Sequence, residues 1–61
     1  PMLPFEEARK IVRNAKLNSQ DQYLKFQKDH DNLPYNPWRT YANSGWVSWP
    51  DWLGKPRTNK D

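Results

Sequence analysis

The sequence predicts an all-α fold: a small bundle of two main helices, with one or two short helical turns, around a tryptophan-rich core. Apolar residues recur at three- and four-residue spacing, and no alternating strand pattern exceeds four residues. Three of the four tryptophans also fall between positions 46 and 52. Each indole can bury roughly 150–250 Å². Because this 61-residue chain has no cysteine for a disulfide and a short chain buries little surface, we expect the aromatic residues to supply the core.

The first helix is predicted over residues 4–15. Pro4 suits the first helical position, and two glutamates follow in the first turn, where negative charge favours the helix dipole. One apolar face then recurs at helical spacing, formed by Phe5, Ala8, Val12 and Ala15. This pattern is typical of an amphipathic helix that packs one side against a core.

The second helix is predicted over residues 20–30. Ser19 and Gln22 have the spacing of a capping box, in which each side chain bonds the backbone of the other residue. The side chains expected to face inward are Tyr23, Leu24, Phe26 and Gln27. The short connection to the first helix predicts a helical hairpin or a helix-turn-helix-like corner.

Two shorter helical segments are predicted in the second half of the chain. Asn36 as a cap and Pro37 at the first position predict one or two helical turns. Gly45 is expected to end them in a left-handed conformation. Ser48 then caps a last turn, which Gly54 stops.

One domain is expected over residues 1–54, and residues 55–61 are expected to form a disordered tail or linker, because they carry no apolar side chain besides proline. No apolar run is long enough to cross a membrane, and no signal peptide is recognisable. We therefore expect a soluble, cytoplasmic chain that is monomeric as a fragment and joined to other domains of a longer protein.

Two motifs, LPFEEAR at residues 3–9 and GWVSWPDWLG at residues 45–54, resemble the phage-integrase repeat unit, and so do Leu33, Pro34, Pro37 and Tyr41 between them. These units are short modules, often in tandem, found in integrase-like proteins. They often carry a tryptophan in the second helix, where this chain has Tyr23 and Phe26. The resemblance implies a module attached to the machinery of DNA integration and recombination. It does not imply catalysis, because no catalytic block of a recombinase is present.

Residues suited to catalysis or metal binding are few. His30 is the only histidine, and it stands between Asp29 and Asp31 without a second histidine or a cysteine to complete a metal site. We therefore interpret it as a solvated helix end. The adjacent glutamates of the first helix point about 100° apart and cannot act as a facing acid–base pair. Tyr41 lacks an arginine–histidine–arginine cluster and is expected to pack in the core. The sequence thus predicts a protein that is not an enzyme and needs no cofactor or metal.

Basic residues on the two helices favour DNA binding, because contacts to phosphates require cations spread over a surface. The chain has a formal net charge of +3. The predicted phosphate contacts are Arg9, Lys10, Arg13, Lys16, Lys25 and Lys28, with Arg39 in addition. The alternative to DNA binding is that these basic residues only form solvated helix faces, on which Glu6 pairs with Lys10.

A different function also fits the sequence: a protein-interaction or spacer module within a larger protein. This alternative predicts an exposed apolar patch around Tyr35 and Trp38. Tryptophans can instead stack on single-stranded bases. We expect most of them to be buried, and Trp38, next to Arg39, to be partly exposed.

Overall fold

The computed structural model describes residues 2–55, which form four α-helices and contain no strand. Their bounds are α1 Phe5–Asn14, α2 Gln20–Gln27, α3 Pro37–Thr40 and α4 Trp49–Leu53. The predicted all-α class, with two main helices and two short ones, is confirmed. The tail expected over residues 55–61 lies outside the described residues, apart from Lys55.

Helix α1 agrees closely with the predicted first helix. It buries Phe5, Ala8 and Val12 and carries two glutamates in its first turn. Its end holds a feature that the sequence did not indicate: Lys16 has a φ of +59°, in the left-handed region. Glycine or asparagine usually occupies this position after a helix. Lys16 therefore lies past the end of α1.

Helix α2 is capped at its start and ends earlier than predicted. The Ser19 hydroxyl accepts a hydrogen bond from the Gln22 backbone N–H at 3.2 Å. The Gln22 side chain, however, accepts from the N–H of Asn18 at 2.9 Å, one residue before its expected partner. The helix ends at Gln27 instead of residue 30. Beyond it, the N–H of His30 donates to the carbonyl of Gln27, three residues earlier, which is the hydrogen-bond spacing of a 3₁₀ turn and not of an α-helix.

Both short helices begin as predicted, and α4 ends at Gly54 as predicted, whereas α3 ends at Thr40, before Gly45. Pro37 opens α3, but the Asn36 side chain forms no capping hydrogen bond, so its predicted role as a side-chain cap is wrong. The Ser48 hydroxyl caps α4 by accepting from the Asp51 N–H at 3.2 Å. Gly45 and Gly54 have φ values of +125° and +79°. Positive φ strains residues that carry a Cβ atom, which explains glycine at both positions.

Trp52 lies at the centre of the core, with none of its surface exposed. Four aromatic rings surround it at centroid distances of 5.6–5.7 Å: Phe5, Tyr23, Tyr41 and Trp46. Ring pairs at such distances contribute roughly 0.5–1.5 kcal/mol each beyond their buried area. The indole N–H of Trp52 is buried without a hydrogen-bond partner among the described residues. The predicted tryptophan-rich core is confirmed.

The loop between α2 and α3 forms part of the core wall. Leu33, Pro34 and Pro37 are all buried there. The Tyr23 hydroxyl donates a hydrogen bond to the Pro34 carbonyl at 2.5 Å, and the Tyr41 hydroxyl donates to the Leu3 carbonyl at 2.7 Å. Burial raises the pKa of both tyrosines above its ordinary value, and the neighbouring Tyr41 adds to the rise at Tyr23. The loop is therefore a packed and hydrogen-bonded segment.

Candidate nucleic-acid interface

Two of the seven predicted phosphate contacts, Arg9 and Arg13, bind Asp51 of α4. Arg9 Nη1 lies 2.8 Å from Asp51 Oδ2, and Arg13 Nη2 lies 3.0 Å from Oδ1. Arg13 also donates to the backbone carbonyl of Asp51, through Nε at 2.9 Å and Nη2 at 2.7 Å. One carboxylate thus bridges two arginines that are one turn apart on α1, and it joins α1 to α4.

The Arg9 guanidinium is held by further contacts on its own helix. Its Cζ atom lies 4.9 Å from the ring centroid of Phe5, and its Nη2 atom lies 3.9 Å from the carboxylate of Glu6. The predicted pairing of Glu6 with Lys10 is therefore wrong, because Glu6 pairs with Arg9. With 23% of its side chain exposed, Arg9 mainly joins helices, whereas Arg13 keeps 43% exposed.

The other five predicted contacts are exposed: Lys10, Lys16, Lys25, Lys28 and Arg39. Within residues 2–55, the ion pairs of the seven predicted cations involve only Arg9 and Arg13. Lys25 and Lys28 lie one turn apart at the end of α2, so their ammonium groups share one side of the molecule. Lys10 lies on the face of α1 opposite its buried residues. The cations are thus distributed over several surfaces.

A row of three indoles runs from the core to the surface. Trp38 lies 5.7 Å from Trp49, and Trp49 lies 5.5 Å from Trp46, measured between ring centroids. Trp49 and Trp46 are partly buried, whereas Trp38 is 42% exposed. We call these three residues the indole row. The predicted partial exposure of Trp38 is confirmed, and Tyr35 nearby in sequence is 58% exposed.

His30 is less solvated than the sequence suggested. Its ring stacks on Phe26 with centroids 4.2 Å apart, and its Nδ1 lies 2.9 Å from the Phe26 carbonyl oxygen. Residues 29–32 line an open depression of about 340 Å³ next to it. Across residues 2–55, no three histidine, cysteine or acidic side chains lie close enough together to hold a metal ion.

The sequence did not indicate that Asp51 would pair with two of the predicted phosphate contacts. Nothing local marks it as a partner of Arg9 and Arg13, which are 42 and 38 positions away. The only available signal was its place inside the GWVSWPDWLG motif, where a charged residue stands between tryptophans.

Comparisons with family models, curated proteins and solved structures found no match to this chain. The resemblance to the phage-integrase repeat unit therefore stays a prediction. None of the helices in residues 2–55 is long and apolar enough to span a bilayer.

Proposed function

We propose that this chain is a non-catalytic DNA-binding accessory module of an integrase-like or mobile-DNA protein, acting in the cytoplasm. The observation that carries the proposal is the set of five exposed cations without a carboxylate partner in the described part of the chain: Lys10, Lys16, Lys25, Lys28 and Arg39. Such cations can approach DNA phosphates without first breaking an ion pair. The link to integrases rests on the resemblance of the two sequence motifs.

Binding of this kind depends strongly on salt, because each phosphate contact releases counterions from the DNA. Three to five lysine and arginine contacts correspond to a slope of about −3 to −4.5 when log K is plotted against log salt concentration. One module of this size buries little surface, so its own affinity is weak. Neighbouring modules on the same chain would raise the overall affinity by tethering.

A salt titration of binding to a short duplex, measured by fluorescence anisotropy, tests the proposal. The double variant Lys25→Gln/Lys28→Gln should reduce the magnitude of the salt slope by about 2. The matched control is Lys55→Gln/Lys60→Gln, which removes the same charge at positions about 30 residues further along the sequence. Absence of binding at low salt, or an equal loss in both double variants, would contradict the proposal.

Arg9 and Arg13 are unsuitable for this test, because their removal also breaks the contacts to Asp51. A loss of DNA binding in an Arg9→Ala/Arg13→Ala variant could reflect unfolding alone. The lysines of α2 avoid this ambiguity, since both are exposed.

A second candidate function is a protein-interaction or spacer module. The observation that favours it is the exposure of Tyr35 and Trp38, at 58% and 42%. This function predicts no response to DNA in the amide chemical shifts. It also predicts that Lys25→Gln/Lys28→Gln leaves every binding property of the module unchanged.

A further inference from the structure

We propose that Trp38 is a stacking site for an unpaired base of single-stranded DNA, with Arg39 contacting the adjoining phosphate. This inference rests on the proposed DNA-binding function. It adds that the bound DNA is single-stranded and that one base is held at Trp38. Aromatic side chains that stack on bases, next to cations that follow the backbone, are how proteins bind single strands with little sequence preference.

The geometry of the indole row suits such a site. Trp38 is 42% exposed, and Trp49 supports it from the protein side at 5.7 Å. Trp49 is itself held by Tyr23 at 5.8 Å and by Trp46 at 5.5 Å. Pro37, immediately before Trp38, is buried and restricts the backbone. The exposed ring is therefore already positioned, so little binding free energy is lost in ordering the Trp38 side chain when a base stacks on it.

The charge of the surrounding segment also suits a phosphate strand. Residues 32–50 contain no aspartate or glutamate, and Arg39 is their only lysine or arginine. Arg39 is exposed and forms no ion pair with the carboxylates of residues 2–55. A phosphate beside Trp38 therefore meets an attractive cation and no nearby acid from this segment.

The exposed area is sufficient for a base but small for a protein partner. At their observed exposures, Tyr35 and Trp38 together offer about 200 Å² of aromatic surface. A stable protein–protein interface buries about 800 Å² on each partner. A single base covers an area similar to one indole ring. Of the two occupants, the unpaired base fits this surface better.

The test compares three probes of similar phosphate charge at low salt: a single-stranded oligothymidine, the same strand with abasic sites throughout, and a duplex. Binding is followed by fluorescence anisotropy of a label on the DNA. We expect the oligothymidine to bind at least about fivefold more tightly than the abasic strand, the lower limit of what stacking of one base supplies. Trp38→Leu should remove this difference, and Trp38→Phe should retain most of it.

The control variant is Val47→Thr, which alters another exposed apolar side chain, 66% exposed, without removing an aromatic ring. Amide spectra of every variant establish that it is folded. Equal binding of the oligothymidine and abasic strands would overturn the stacking site while leaving phosphate binding intact. Absence of binding to all three probes would overturn the proposed function as well. Self-association of the chain that Trp38→Leu abolishes would assign this ring to a second copy and would also overturn the inference.

Discussion

Replacing Asp51 by asparagine should destabilise the fold, although only one side chain changes and its size is preserved. Asparagine keeps one carbonyl oxygen that can accept from Arg9 or Arg13, but it loses the negative charge that both arginines contact at 2.8 and 3.0 Å. The two hydrogen bonds from Arg13 to the backbone carbonyl of residue 51 remain possible. The substitution therefore tests the charge of the bridge more than the shape of the side chain.

The expected loss of stability in Asp51→Asn depends on how exposed the three charged side chains are. Hydrogen bonds to charged partners contribute about 1.5–3 kcal/mol when shielded from water, whereas exposed ion pairs contribute about 0–1 kcal/mol. Asp51 is 24% exposed, Arg9 is 23% exposed and Arg13 is 43% exposed, so this bridge lies between those limits. The carboxylate also stands in the first turn of α4, where negative charge adds about 0.3–1 kcal/mol. We expect Asp51→Asn to lower the free energy of unfolding by about 1.5–3 kcal/mol.

Urea unfolding followed by tryptophan fluorescence measures this loss. The control is Asp29→Asn, which removes the same charge at an exposed position outside the ion pairs of residues 2–55. A double-mutant cycle with Arg13→Gln should give a coupling energy above about 0.5 kcal/mol, as expected for residues in direct contact. If Asp51→Asn were as stable as Asp29→Asn, the assignment of a stabilising bridge between α1 and α4 would be refuted.

Three further predictions concern the core and its edges. Trp52→Ala should lower the unfolding free energy by about 3–5 kcal/mol, and well-dispersed amide spectra of this variant would contradict the central role of the indole. Gly45→Val should reduce thermal stability, because φ is +125° and a Cβ atom would lie 2.7 Å from Phe5 Cδ2; an unchanged melting temperature would show that the backbone can rearrange. Since burial raises the pKa of Tyr23 and Tyr41 above 10, both tyrosines ionise at a higher pH in the folded chain than in the unfolded chain. Stability should hold below about pH 10 and fall above it, with Tyr23 contributing a slope of about 1.4 kcal/mol per pH unit and Tyr41 acting in the same direction. Tyrosinate absorbance and urea titrations check this, and Tyr23→Phe should reduce the slope.

The helices could be predicted because their starts and ends are determined locally. Ser19 and Ser48 cap the helices that follow them, and Gly54 has the positive φ expected at a helix end. These signals act over three or four residues, so the sequence displays them directly. The end of α1 departs from this rule, since Lys16 adopts a left-handed conformation without the glycine that normally indicates it.

The candidate site was less predictable because it depends on which distant residues meet. The exposure of Lys25 and Lys28 could be anticipated from helical periodicity alone. The pairing of Arg9 and Arg13 with Asp51 could not be anticipated. The charge of an arginine and its spacing in the sequence are the same whether its side chain faces water or a carboxylate of another helix. The burial of Pro34 and Pro37 was missed for a similar reason. A proline clearly indicates where a helix breaks, but it does not indicate which residues will cover it.

The bridge from Asp51 and the central position of Trp52 affect when the domain can fold during its synthesis. Helix α1 is translated before the other three helices, yet the Trp52 indole that packs against Phe5 and the carboxylate that bridges Arg9 and Arg13 are translated about 40 residues later. Until α4 emerges, Phe5 lacks the Trp52 ring against which it packs in the folded domain. The core and the bridge between α1 and α4 can therefore be completed only after nearly all of the domain has been made.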